Sequence, residues 1–165
     1  MKKTVLCFML IVGIVMSLSS CLIFFIPKTF KMAVDDNIPE DQNVKLTFVN
    51  GGNTIFIVKE WNGKKISDDL YGKKFIGNGD KTILTVPAGN NRFTFNLDFT
   101  FSNQQSSTTY TFKDIELRYD LESGTEYQVK GTAKSLGLFK GYEFYVGIYD
   151  KAGDKLLKEW KLGAS

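Results

Sequence analysis

Residues 92–102 read Arg-Phe-Thr-Phe-Asn-Leu-Asp-Phe-Thr-Phe-Ser. Phe93, Phe95, Leu97, Phe99 and Phe101 share one phase, and Arg92, Thr94, Asn96, Asp98 and Thr100 the other. Strand side chains alternate between faces, so this stretch builds one apolar face and one polar face. That is the signature of an antiparallel sheet with one side on a core and the other in water. A slip of one residue would turn the phenylalanines into solvent, so the register is tightly specified.

Similar signals extend in both directions. Upstream, Val44–Val49 ends at Asn50-Gly51-Gly52-Asn53, and Thr54–Trp61 ends at Asn62-Gly63. Asn-Gly is the strongest short hairpin signal, because a type I′ turn needs positive φ at both central residues. Lys64–Ile66 is expected to return antiparallel to Val58–Glu60. Ser67–Gly72 reads as a loop and Lys73–Ile76 as a short edge strand, stopped by Gly77-Asn78-Gly79-Asp80. Thr82–Val86 then enters the turn Pro87-Ala88-Gly89-Asn90-Asn91.

Downstream, residues 103–107 form a polar hairpin tip. In Thr108–Leu121 the apolar phase switches near Lys113-Asp114, which predicts a bulge. Glu126–Ala133, Tyr142–Tyr149 and Lys155–Leu162 complete the series, with Lys134–Gly141 as a loop and turns at Glu122–Thr125 and Asp150–Asp154. About eight or nine strands with regular turn spacing predict an all-β fold, a single antiparallel β-sandwich over residues 43–165, or a small barrel. No crossover helices are evident, so a parallel sheet is not expected.

The N-terminus is of another kind. Lys2 and Lys3 precede an apolar run from Val5 to Leu18, which closes on Leu18-Ser19-Ser20-Cys21. This resembles the signal peptide and lipobox of bacterial lipoproteins. The resemblance implies removal of residues 1–20, a diacylglycerol on the Cys21 thiol and a palmitate-like third chain. It places the domain in the cell envelope, anchored to a membrane by lipid and facing the periplasm or cell exterior. One departure is that Cys21 is followed by Leu22-Ile23-Phe24-Phe25-Ile26 rather than polar residues. The 23 uncharged residues from Thr4 to Ile26 are long enough to span a bilayer, so an uncleaved transmembrane anchor is the alternative. Residues 21–42, with Pro27, Pro39 and two acidic clusters, read as lipidated cysteine and tether.

Composition excludes much chemistry. The chain has no histidine, so Ser-His-Asp and Cys-His constellations are out of reach. Both cysteines, Cys7 and Cys21, lie in the N-terminal segment, so zinc sites in the domain are effectively excluded. Loss of residues 1–20 takes Lys2 and Lys3 from the 21 basic residues, leaving 19 against 18 acids. That balance argues against nucleic acid as a partner. Gly77–Asp80 and Asp150–Asp154 carry oxygen ligands, but turn chemistry explains them and neither has the EF-hand pattern. A glycosidase would need two converging carboxylates, whereas the acids stand mainly in turns. A membrane barrel does not suit so few, short strands. No cofactor is expected, and the chain is read as non-enzymatic.

The candidate ligand-facing residues are aromatic. Trp61 stands at a hairpin end, where it either anchors a ligand or packs across the hairpin. Tyr142, Phe144, Tyr145 and Tyr149 occupy both faces of one strand, so Tyr145 and Tyr149 stand on the face away from Phe144 in phase. They form either an aromatic platform for a sugar or cross-strand packing. Ile83–Gly89 together with Gly124-Thr125-Glu126-Tyr127-Gln128-Val129 is similar to small envelope β-domains of the PEGA or transthyretin-like kind, without the PEGA signature itself. That likeness implies a tethered sandwich in a binding or structural role, with an envelope protein or a glycan as partner, and no site residues follow from it.

Overall fold

The computed structural model describes residues 27–72, 74–102, 105–137 and 140–164. The N-terminal segment with Cys21 lies outside them, as do Lys73, residues 103–104 at the start of the hairpin tip, residues 138–139 and Ser165. The strands are β1 (Thr29–Ala33), β2 (Asn43–Val49), β3 (Thr54–Trp61), β4 (Lys64–Lys65), β5 (Lys81–Pro87), β6 (Gly89–Ser102), β7 (Ser107–Leu121), β8 (Glu126–Ser135), β9 (Tyr142–Tyr149) and β10 (Leu156–Ala164). A short helix, α1 (Ser67–Tyr71), and a 3-10 turn at Glu40–Gln42 complete the set. The strands form a six-stranded sheet in the order β1-β5-β2-β8-β9-β10 and a four-stranded sheet in the order β4-β3-β6-β7. The sheets pack face to face as an all-β sandwich.

The alternation in β6 places its apolar row inward. Phe93, Phe95, Leu97 and Phe99 are fully buried, and Phe101 packs at the margin. From the opposing sheet, the Phe48 ring meets Phe56, Phe93 and Phe95 at centroid distances of 5.7, 6.0 and 5.8 Å. Phe144 of β9 meets Phe99 at 4.8 Å. Such aromatic pairs add about 0.5–1.5 kcal/mol beyond area burial. The bulge expected in β7 is present: Phe95 pairs with Ile115 but Leu97 with Phe112. Asp114 has φ 52°, and its N–H donates to Asn96 Oδ1 at 3.0 Å. Asn62 and Gly63 both have positive φ, 48° and 81°, as a type I′ turn requires.

Four expectations need correction. First, within the stretch read as tether, the described part, residues 27–42, belongs to the domain. β1 pairs with β5, and Phe30 and Val34 are core residues. Its short alternation was hidden between Pro27 and the Asp35-Asp36 pair. Second, β1–β5 and β2–β8 are parallel neighbours, so the six-stranded sheet is mixed; long connections through the second sheet replace crossover helices. Third, Ser67–Tyr71 is a helical turn, because Leu70 and Tyr71 cover the side of the sandwich between β1 and β3. Fourth, residues 74–76 form no strand, and Ile76 is instead tucked into the core margin.

Two poles result. At one, the chain enters. The Lys28 N–H donates to Asp80 Oδ1 at 2.6 Å, and the Lys28 carbonyl accepts from Lys81 N–H at 2.9 Å. The turns 50–53 and 77–80 and the connections β6–β7 and β8–β9 lie at this entry pole. The connections β1–β2, β3–β4, β5–β6, β7–β8 and β9–β10 lie at the far pole.

Candidate binding cleft at the far pole

The two sheets are not joined by hydrogen bonds between β7 and β10, so one side of the sandwich stays open. Aromatic side chains fill the gap. Tyr119 of β7 meets Trp160 of β10 edge-on at 6.5 Å and Tyr127 of β8 at 5.9 Å. Beyond them, at the far pole, opens a cleft of about 870 Å³. Tyr119, Tyr127, Ala152 and Leu157 supply its apolar lining, and Glu122, Glu126, Asp150, Lys151 and Lys155 its polar rim. A register shift between Leu156 and Lys158 places Leu157 at its edge. An apolar floor with a few converging polar groups is the usual form of a small-ligand or peptide site.

The rim is built from committed groups. Asp150 Oδ1 accepts from the N–H groups of Gly153, Asp154 and Lys155 at 2.9, 3.1 and 3.3 Å, which shapes the β9–β10 turn. Partial burial pushes its carboxyl up, but these three bonds prevail and hold it below the usual range. Glu126 is shared between Lys45 at 3.6 Å and Lys151 at 3.3 Å. The Tyr127 hydroxyl accepts from Glu122 N–H at 3.1 Å. Burial, then the charges of Tyr127, Glu122 and Asp120, raise the Tyr119 phenol. Two of the three rim carboxylates are therefore engaged, and Tyr119 stays a neutral donor at physiological pH. This suits recognition by an aromatic surface and hydrogen bonds.

The structure separates the aromatics singled out from sequence. Trp61 is half-buried against the core, and its Nε1–H donates to Asn91 Oδ1 at 2.7 Å. Asn91 is itself buried and donates to the carbonyls of Pro87 and Gly89, both at 2.9 Å. Trp61 thus locks the β3–β4 and β5–β6 turns together. Tyr145 and Tyr149 stand on the outer face of β9. Lys134 Nζ lies 4.0 Å from the Tyr145 ring centre and Lys130 Nζ 5.1 Å from that of Tyr149, as cation–π pairs. The Tyr145 hydroxyl donates to Glu143 Oε2 at 2.7 Å. That bond raises the phenol, while Lys161 first and then Tyr145 lower the Glu143 carboxyl. Trp61 lies at the far pole and the two tyrosines on a sheet face, so the three do not converge. Tyr119 and Leu157 were missed; Tyr127 was visible only as the aromatic of Gly124-Thr125-Glu126-Tyr127.

Among the described residues, no cluster of three or more Asp, Glu, Cys or His could hold a metal ion, and no helix is long and apolar enough to cross a membrane. The chain was compared with protein families, curated proteins and solved structures, and it matches none of them.

Proposed function

We propose that this chain is a bacterial envelope lipoprotein, cleaved before Cys21 and acylated there, whose β-sandwich is a non-enzymatic interaction domain. The observation that carries the reading is Leu18-Ser19-Ser20-Cys21 at the end of an apolar run, with the first strand beginning eight positions later at Thr29. The cleft over Tyr119 and Tyr127 sits at the pole opposite the chain's entry. An anchored domain would thus offer that cleft to a protein or glycan of the envelope. The commitment of Asp150 and Glu126 to structural partners supports binding over catalysis. The intact mass of protein extracted from its native membrane, beside a Cys21→Ser variant, tests the anchor. Loss of residues 1–20 with added acyl chains, absent from the variant, is expected. A full-length, unacylated mass would refute it and leave the uncleaved anchor.

A second reading, a carbohydrate-binding or adhesive module, draws on Tyr145 and Tyr149, which share the water-facing side of β9. Glycan-array binding that survives Tyr119→Ala but fails in Tyr145→Ala would favour it. The reverse pattern places the ligand in the cleft.

A further inference from the structure

The entry pole has features that the far-pole cleft does not explain. Phe75 is 81% exposed, although it directly precedes the core-facing Ile76. It stands beside the 77–80 turn, its ring 4.0 Å from where a Cβ on Gly77 would lie. That same turn holds the entering chain: Asp80 accepts from Lys28 N–H and Gly77 N–H, at 2.6 and 2.8 Å. Leu136, 41% exposed, stands on the β8–β9 connection at this pole. Around these apolar tips are the exposed lysines Lys28, Lys74 and Lys140, none of them in an ion pair among the described residues. Asp80 is the one carboxylate in the described connections here, and it is buried. The far-pole connections are net acidic, with Asp35, Asp36, Glu40, Asp41, Glu122 and Asp154 exposed against Lys151 and Lys155.

From this we infer that the entry pole is a membrane-docking surface, seated on an anionic lipid bilayer through Phe75 and Leu136 with Lys28, Lys74 and Lys140 at the headgroups. The inference rests on the reading of residues 1–26 as a membrane anchor. Three arguments identify the occupant. The first described residues, Pro27 and Lys28, are held at this pole. The seven residue-to-residue steps from Cys21 to Lys28 span at most about 25 Å when extended, so an anchor at Cys21 brings this pole to the bilayer. Apolar tips ringed by lysine match an interface in which rings enter the acyl boundary and ammonium groups stay at the headgroups. The acidic far pole is repelled by the same surface, which fixes the orientation. The cleft then points away from the membrane.

The test uses the full chain in vesicles with brominated acyl chains, made of phosphatidylcholine alone or with phosphatidylglycerol. Flotation is measured on every sample. In the Phe75→Trp variant the new tryptophan reports contact, and the parent supplies the background from Trp61 and Trp160. Expected are flotation of both proteins and a quenched, blue-shifted emission specific to Phe75→Trp in anionic vesicles. Adding Lys28→Gln, Lys74→Gln and Lys140→Gln should lower the docked-to-undocked ratio by about fivefold per lysine. Flotation without quenching overturns the docking and leaves the anchor standing. Equal quenching in neutral vesicles overturns the part given to the lysines. A protein that does not float overturns docking and anchor together.

Discussion

The Tyr71 hydroxyl closes a gap in the four-stranded sheet, and its removal should be measurable. β4 pairs with β3 only at Glu60 and Trp61, so the remaining outward N–H groups of β3 have no strand partner. Two side chains replace the strand. Asn50 Oδ1 accepts from Phe56 N–H at 2.8 Å, and the Tyr71 hydroxyl accepts from Val58 N–H at 3.0 Å. The same hydroxyl bonds Thr82 Oγ1 at 3.1 Å. Val58, Tyr71 and Thr82 are all buried, so water does not take the hydroxyl's place. Tyr71→Phe keeps the ring and its edge contact with Phe30 at 5.2 Å but orphans Val58 N–H and strips Thr82 of its partner. An unsatisfied buried group costs about 1–3 kcal/mol; taking about 2 kcal/mol, a domain of this size loses roughly 6–10 °C in Tm.

Thermal unfolding of the full chain in mild detergent, followed by near-UV circular dichroism, gives the shift. Thr82→Val in the same background should cost little more, because its partner is already gone. The pH profile supplies an independent check. Burial raises the Tyr71 phenol above its ordinary value of 10.0, against the weaker opposing effects of Thr82 and Val58. The native state therefore holds this proton more tightly than the unfolded chain. The corresponding stability is complete below pH 10 and is lost as pH rises through the raised folded value. Tyr71→Phe should show a shallower alkaline decline than the parent. A Tm change under about 2 °C, with parallel alkaline slopes, would refute the argument that Tyr71 stands in for a missing strand.

Other predictions follow from particular contacts. A Cβ on Gly131 would lie 3.0 Å from Thr54 Cγ2, 3.2 Å from Phe99 Cζ and 3.3 Å from Leu97 Cδ2, so Gly131→Val should overpack the core by about 1–3 kcal/mol; denaturant midpoints equal to the parent's would count against that packing. Asp150→Asn keeps an acceptor but removes the charge that the β9–β10 turn stabilises. The parent should be the more stable above pH 3.8, and the gap should close as pH falls through the lowered folded value; urea titrations across that range measure it, and a gap constant with pH sinks the account.

How much could be read beforehand depended on whether a signal was local. The β6 alternation, the Asn62-Gly63 turn and the phase switch at Lys113-Asp114 are encoded within a few residues, and each appears in the structure. β1 was missed because five residues with only Phe30 fully buried give too short a pattern. The parallel pairing of β2 with β8 joins Lys45 to Glu126 across half of the chain, and no local residue choice announces it. The cleft is non-local as well. Tyr119, Tyr127 and Leu157 come from three strands and meet only because β7 and β10 leave an open side. Tyr71 was hidden by its context, since Ser-Asp-Asp-Leu-Tyr-Gly reads as a loop until the unpaired edge of β3 is seen.

The two ends of the sandwich differ for a reason that the topology makes plain. β1 runs parallel to β5, so the chain enters beside the start of β5 and the acid-rich stretch 35–41 is carried to the opposite end. Had β1 been a tether, as its flanking residues suggest, Asp35, Asp36, Glu40 and Asp41 would lie between the anchor and the domain. They would then repel an anionic surface while holding the domain away from it. Pairing β1 into the sheet reverses this. It brings Lys28 to the entry side, where Phe75 already stands, and sends those acids far from it, at the cost of ordering five residues. Phe30 and Val34 offset that cost by burial in the core. A single edge strand thereby separates a basic, apolar-tipped pole from an acidic pole that carries the cleft.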